Sequence, residues 1–230
     1  MTIDERYAAA DVWDTKHRAI LAVGDLDRSS IWLEPFLPLL ESHDARTVLD
    51  LGCGTGYDAL ALARRGYRVE GIDYAQVAID EAIRLAAAEG LAIDFRQGDV
   101  GLPLPYADGT FDAVISNLVL HSFADAALRR IVGEVDRCLR PGGLFLFHAN
   151  AMEDLEQRLS VQPPERQLGP RSYVLAGGQT MHFFSRDYCE ALLADWLPLL
   201  LDPATSFDAG GNPIKRVWRC AVRKRLSPQS

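Results

Sequence analysis

The sequence predicts an α/β fold of the doubly wound type, and three observations carry that prediction. Val48 to Gly56 reads V-L-D-L-G-C-G-T-G, an apolar run ending in glycines at alternate positions, and Y-D-A-L-A-L-A-R-R follows it at once. Arg68 to Asp73, R-V-E-G-I-D, is a second strand pattern that ends in an acid about twenty residues after the first loop. At 230 residues the chain is long enough for one well-buried domain of this type with a small lid. Thr47 to Leu51 is a buried strand by its length, β-branching and apolarity, and Tyr57 to Arg65 opens a helix with Leu60 and Ala63 facing inward. The glycines therefore occupy a strand-to-helix turn, where the backbone bends sharply and a ligand approaches without any Cβ in the way.

Spacing selects the ligand. A dinucleotide turn requires G-x-G-x-x-G, whose third glycine, counted from Gly52, falls on Tyr57; the actual glycine is Gly56, one position early. Asp50, just ahead of the loop, suits an ammonium group better than a phosphate. The pattern D-x-G-x-G-x-G, made by Asp50, Gly52, Gly54 and Gly56, resembles the first motif of the class I S-adenosylmethionine (SAM) methyltransferases. The resemblance implies a Rossmann-like seven-stranded sheet, mostly parallel with an antiparallel hairpin at the C-terminal end and helices on both faces. It also implies an acid near the methionine amino end of SAM, with the loop glycines and Thr55 along its methionine and ribose.

Asp73 is then the ribose ligand, a geometric role that acids at this strand end also play in dinucleotide folds, and Tyr74 lies against the adenine. A third strand is expected at Ala92 to Arg96. Gly98-Asp99-Val100 matches the segment of the family in which an acid contacts the adenine amino group. Thr110 to Asn117 resembles the fourth strand, whose end lies beside the transferring methyl, which marks Asn117 and Leu118. Arg140 to Gly143 gives a turn, and Leu144 to His148 the fifth strand. The resemblance is close from Thr47 to Asn150 and holds in outline beyond.

Before the first strand, Tyr7 to Val23 and Ser30 to Ser42 read as helices, the second with Ile31, Leu33, Phe36, Leu37 and Leu40 inward. Pro35 and Pro38 blur its limits. In many small-molecule members of the family the N-terminal helix folds over the cofactor. Here it supplies Trp13 as core or cofactor cover, Arg18 or Lys16 for the cofactor carboxylate, and Tyr7 as an acceptor contact.

Ala151 to Thr180 contains Pro163-Pro164, Gly169-Pro170 and Gly177-Gly178 and reads as loop. About thirty residues is long for a connection in a compact domain, so the segment is read as an acceptor-site cap, with Asn150, Tyr173 and Phe183 as acceptor contacts. A helix at Arg186 to Trp196 precedes an antiparallel strand pair, Trp196 to Phe207 and Ile214 to Arg225, which closes the sheet of the family. The expected organisation is one domain over 1–230: N-terminal helices 1–45, SAM-binding core 46–150, cap 151–184, and last helix with hairpin 185–230.

A sulfonium methyl is already electrophilic, so the protein has mainly to hold a nucleophile in line with the methyl–sulfur bond and away from water. A base matters only for an acceptor protonated at neutral pH. The candidates are His121, past the fourth strand, His148, at the end of the fifth, and His182, after the cap. His121 also suits capping of the next helix, and His148 a hydrogen bond at a buried strand end, and these structural roles are the commoner ones. G-C-G-T-G-Y-D-A-L, A-R-R-G-Y-R-V-E-G-I-D and W-D-x-K-H-R together resemble the small methyltransferases of tellurite-resistance, thiopurine and natural-product type. That likeness implies a small-molecule acceptor with O, N or S as nucleophile.

The formal charge of −8 argues against a broad nucleic-acid surface. Ser116-Asn117-Leu118-Val119 stands where amino-group DNA methyltransferases carry N/D-P-P-Y/F, and the chain has no Pro-Cys nucleophile. The four cysteines lack metal-ligand spacing, so no metal is expected. The start of the chain shows no basic segment followed by an apolar one, and no apolar run approaches membrane-spanning length; the expectation is a cytoplasmic monomer or homodimer without a membrane partner. Two other readings keep the same crevice: a nicotinamide oxidoreductase, opposed by the glycine spacing, and a non-catalytic SAM-binding regulator, opposed by the cap and the histidines.

Overall fold

A computed structural model describes residues 10–23, 31–176, 178–207 and 210–226, so Tyr7 lies outside the described residues. Its centre is a seven-stranded sheet in the order β3-β2-β1-β4-β5-β10-β9. The strands are β1 (Thr47–Leu51), β2 (Arg68–Asp73), β3 (Asp94–Gln97), β4 (Phe111–Asn117), β5 (Leu139–Asn150), β9 (Leu197–Phe207) and β10 (Pro213–Arg223). Pairing is parallel from β3 through β5, and β10 runs antiparallel to both of its neighbours. This is the Rossmann-like sheet with a closing hairpin that the sequence predicts.

Alternation along the inner strands feeds two cores. Leu49, Leu51, Val114, Phe145 and Phe147 pack with Leu128, Ile131 and Val135 of α5 (Asp125–Cys138) and Cys189 and Leu192 of α7 (Arg186–Leu192). Val48, Ala113, Ile115, Leu144 and Leu146 pack on the opposite face with α2 (Leu37–Ser42), α3 (Tyr57–Arg64) and α4 (Gln76–Glu89). Strands buried on both faces read as near-continuous apolar runs, which is why β1 and β5 are legible by eye. The polar exceptions Asp50, Asn117, His148 and Asn150 fall, by alternation, on the α3 face.

Four expectations are corrected. The segment after β5 is not plain loop: it forms a short helix, α6 (Leu155–Val161), and a three-stranded antiparallel sheet of β6 (Pro164–Gly169), β7 (Ser172–Leu175) and β8 (Thr180–His182). Its glycines and prolines mark the ends and turn of these short strands, and Leu175, Met181 and Phe183 make a small core of their own. The helix expected at Ser30 to Ser42 is a 3₁₀ turn, Ile31–Phe36, running into α2, since Pro35 removes a backbone donor at the junction. Arg140 to Gly143 bulges within β5 rather than preceding it, as the pairing passes from Phe111–Leu139 to Ala113–Leu144. The helix expected to reach Trp196 ends at Leu192, and the buried Trp196 instead packs into the core. The N-terminal helix is α1 (Ala10–Val23).

Candidate functional site

At the carboxyl edge of the sheet, strand order reverses between β1 and β4, the place where open α/β sheets hold ligands. A cleft of about 350 Å³ opens there, within the range of small-molecule sites. Trp13, Gly52, Gly54, Thr55, Asp73, Tyr74, Val100, Asn117 and Leu118 all line it, as the sequence leads one to expect. Sequence reasoning missed its other walls. Asp58 stands in the first turn of α3, where an acid directly after a glycine loop was the available signal, and His17 of α1 was visible only as part of W-D-x-K-H-R.

The loop backbone is built for close approach. Gly52, Gly54 and Gly56 have φ of 76°, 51° and 80°. The Gly54 amide donates to Asp73 Oδ2 at 2.8 Å and the Ala75 amide to Oδ1 at 2.9 Å, so the acid at the end of β2 is clamped by main chain on either side. Leu118, just past β4, takes φ 59°, a conformation costly for a side chain with a Cβ, and its amide donates to the His148 carbonyl at 3.1 Å.

One pole of this cleft is acidic. Asp50 is 1% exposed, its Oδ2 has no hydrogen-bond partner, and burial, with Asp58 and Asp73 nearby, holds its carboxyl well above the usual range. A buried carboxyl held by one backbone bond, from Ala59, with its other oxygen unpartnered is costly, and a cationic group arriving beside these three acids would relieve it. The residues thus fit a ligand with an ammonium or sulfonium charge and a diol. α1 closes the cleft from outside: Asp14 Oδ1 accepts the Val77 amide at 3.2 Å at the start of α4, and Lys16 reaches Gln179 beside β8.

Other expected residues lie elsewhere. Asp50 and Gly56 sit beneath the cleft wall, and Asp99 uses Oδ1 to accept the Gly101 amide at 2.8 Å. Arg18 is exposed on α1 and does not line the cleft. Phe183 is fully buried in the small core of the segment after β5, with the Tyr173 ring 6.1 Å away, so Phe183 belongs to packing rather than to an open acceptor wall.

The three histidines separate. His148 pairs with Asn117 across β4–β5, its ring edge-on to Trp32 at 5.1 Å and Phe36 at 5.6 Å, and its Nε2 has no partner. His121 is buried with Nδ1 free, held well below its ordinary pKa by burial and by Lys215, Arg158, Lys16 and His182. His182 turns to a different hollow between α5, α7 and β7, where its Nδ1 lies 2.7 Å from Ser172 Oγ.

Burial first, then Arg219, lowers the His148 pKa to about 4. The unfolded chain therefore binds more protons than the fold between about pH 6.5 and about 4, and stability falls as pH drops through that window. Urea denaturation at pH 7 and pH 4 is expected to show this acid loss shrinking by roughly 2–3 kcal/mol in His148→Gln. The opposite contribution of Asp50 is common to both proteins and cancels; an unchanged loss would refute the assignment.

Residues 48–143 match the model of a family described as a methyltransferase domain. A demethylmenaquinone methyltransferase of Deinococcus radiodurans is 36% identical over 148 residues, covering 63% of this chain and 58% of the relative. Ribosomal RNA small subunit methyltransferase C of Alcanivorax borkumensis is 30% identical over 147 residues, covering 61% of this chain and 43% of the relative. The chain thus spans about half the length of these curated relatives. A solved SAM-dependent methyltransferase from Methanosarcina mazei superposes with a TM-score of 0.70 at 24% identity, over 83% of this chain and 98% of that one, a likeness of fold. With the glycine turn, the clamped acid and the sheet order in place, residues 48–143 are a methyltransferase domain similar to those of the class I S-adenosylmethionine-dependent family, whose cofactor is S-adenosylmethionine.

Proposed function

We propose that this chain moves a methyl group from SAM to an O, N or S atom of a small-molecule acceptor by in-line displacement, releasing S-adenosylhomocysteine. The observation that carries the reading is the acidic cleft at the switch point, with Asp50, Asp58 and Asp73 around a glycine turn. SAM supplies the electrophilic methyl, and the residues of the chain bind, orient and exclude water. Asp73 takes the ribose hydroxyls on the lone pairs left by its two amide bonds, while Tyr74, Asp99 and Val100 flank the adenine. Asp50 and Asp58 balance the amino end, the backbone of Gly52 to Gly56 runs beside it, and Trp13 covers the cleft. Asn117 and Leu118 stand at the end of β4, on the side where the acceptor must enter.

Of the three candidate bases, His148 and His121 lie on that side, since Asn117 and His148 are register partners and His121 follows Leu118 by three positions. His182 is withdrawn from the base role, because it serves Ser172 and faces another hollow. The segment 151–184 acts as the cap. The relatives are named for a quinone precursor and for ribosomal RNA, so likeness alone does not choose the acceptor. The net charge of −8 favours the small molecule over a phosphate polymer.

The test is S-adenosylhomocysteine release across an acceptor panel of thiols, phenols, carboxylates, amines and inorganic anions. Calorimetry with S-adenosylhomocysteine and NADH accompanies it. Turnover with one nucleophile class and binding of S-adenosylhomocysteine alone are expected. Tight NADH binding would refute the reading, and silence across the panel despite tight S-adenosylhomocysteine binding would refute the small-molecule acceptor. At saturating SAM, His148→Ala and His121→Ala assayed separately test for a histidine base: an at least tenfold loss of kcat in one alone would identify it, and equal rates in both would eliminate one.

A further inference from the structure

We infer that the acceptor binds as an anion, a carboxylate or an ionised phenol or enol, whose negative charge rests on Lys215 of β10 with Arg158 and Lys16 beside it. The inference deepens the methyl-transfer reading and rests on it.

Register brings the groups together. On β5, His148 faces Arg219 and Asn150 faces Val217 of β10, and alternation puts Lys215 two residues further along the same face. Lys215 acts electrostatically on both His148 and His121, and Arg158 and Lys16 act on His121 from α6 and α1. Lys215, Arg158 and Lys16 thus come from β10, α6 and α1 to surround the histidines that follow β4 and end β5.

The acids at this convergence are already engaged: Asp202, which acts on His148, accepts from Arg219 Nε at 3.0 Å. Asp154, 2% exposed, lies 3.9 Å from Arg158 and 4.0 Å from Arg216 and accepts the Arg216 amide at 3.2 Å. It is the acid that also acts on Lys215. Lys224 pairs with Asp136 at 3.3 Å and Lys16 bonds Gln179, whereas the Lys215 ammonium has no hydrogen bond or ion pair among the described residues. On the same edge His148 Nε2, His121 Nδ1 and Asn150 Oδ1 are buried without partners. Buried polar groups are normally satisfied, so several orphans together mark a place a ligand fills.

The chemistry agrees. A histidine with a pKa of about 4, as at His148, is neutral at pH 7 yet a weak base towards a phenol or an alcohol. An acceptor that arrives ionised needs no base. Its lone pair forms the new bond to the methyl, the carbon–sulfur bond breaks with its electron pair going to sulfur, and sulfonium and anion are neutralised together. Burial, with Arg158 nearby, lowers Lys215 to about 8, and an anion beside it stabilises its charged form. On this inference the acids of the cleft sit by the cation, and the bases, which lie outside its wall residues, sit by the anion.

The probes are 4-hydroxybenzoate and its neutral isostere 4-hydroxybenzamide, titrated by calorimetry into the protein saturated with S-adenosylhomocysteine. At least tenfold tighter binding of the carboxylate is expected. Lys215→Gln should abolish that preference and Lys215→Arg restore it, with S-adenosylhomocysteine affinity unchanged in both. Equal affinity for the pair, no binding of either, or a preference surviving Lys215→Gln overturns the inference, as does a short single-stranded RNA binding more tightly than the carboxylate and depending on Lys215. Failure of the wild-type protein to bind S-adenosylhomocysteine would instead bring down the methyl-transfer reading.

Discussion

Asp73→Ala is expected to weaken S-adenosylhomocysteine binding by about 100-fold or more. A carboxylate accepting two hydroxyl hydrogen bonds contributes about 1.5–3 kcal/mol for each, and every 1.4 kcal/mol is tenfold in affinity. The same acid accepts the amides of Gly54 and Ala75, so alanine also leaves two donors at the loop unanswered. That part of the damage appears as lost stability of about 1–2 kcal/mol, and calorimetry alongside thermal unfolding separates the two. Asp73→Asn keeps one acceptor oxygen and should lie between. An affinity within threefold of the parent, with a normal unfolding midpoint, would sink the ribose assignment.

Gly52→Ala and Gly54→Ala are expected to fail in opposite ways. A Cβ at Gly52 would stand 2.3 Å from Val119 Cγ2, at a φ of 76°. Left-handed backbone and overpacking each cost about 1–3 kcal/mol, so Gly52→Ala should lose about 3 kcal/mol of stability. At Gly54 the nearest atom is His17 Cε1 at 3.4 Å, with φ 51°. Its alanine variant should lose only about 1 kcal/mol, but the methyl stands in the wall of the cleft, so cofactor affinity falls more than stability does. Urea denaturation and S-adenosylhomocysteine titration of both variants check the contrast; a destabilised Gly54→Ala with intact affinity would mean that the loop does not face the cofactor.

Much of this site was legible because it is local. Asp50, Gly52, Gly54 and Gly56 lie within seven residues, and Asp73 follows at the strand end, so chain connectivity alone carries them to one edge. Arg18 and Phe183 were misplaced for the opposite reason. Which face of α1 meets the cleft, and whether Phe183 packs inward or lines a wall, depend on contacts with segments far away in sequence. His17 and Lys215 were passed over because a histidine in a charged helix and a lysine in an alternating strand have unremarkable neighbours in sequence. Their character comes from Asp14 and Asp73 around His17, and from Arg158 and Asp154 around Lys215.

The parallel sheet, the glycine turn and the acid after β2 follow from patterns of period two and from backbone conformations that few residues tolerate; both are properties of short stretches of chain. The segment after β5 is different. Each of its strands has at most six residues, and β6 is largely exposed, so no stretch of it carries a period strong enough to read. Its sheet exists because Leu175, Met181 and Phe183 meet across turns, and because Asn150 and Met152 bond Phe184 at its root. The cluster of Lys215, Arg158 and Lys16 arises in the same way, from burial and charge on β10, α6 and α1 that only the folded chain brings within reach of one another.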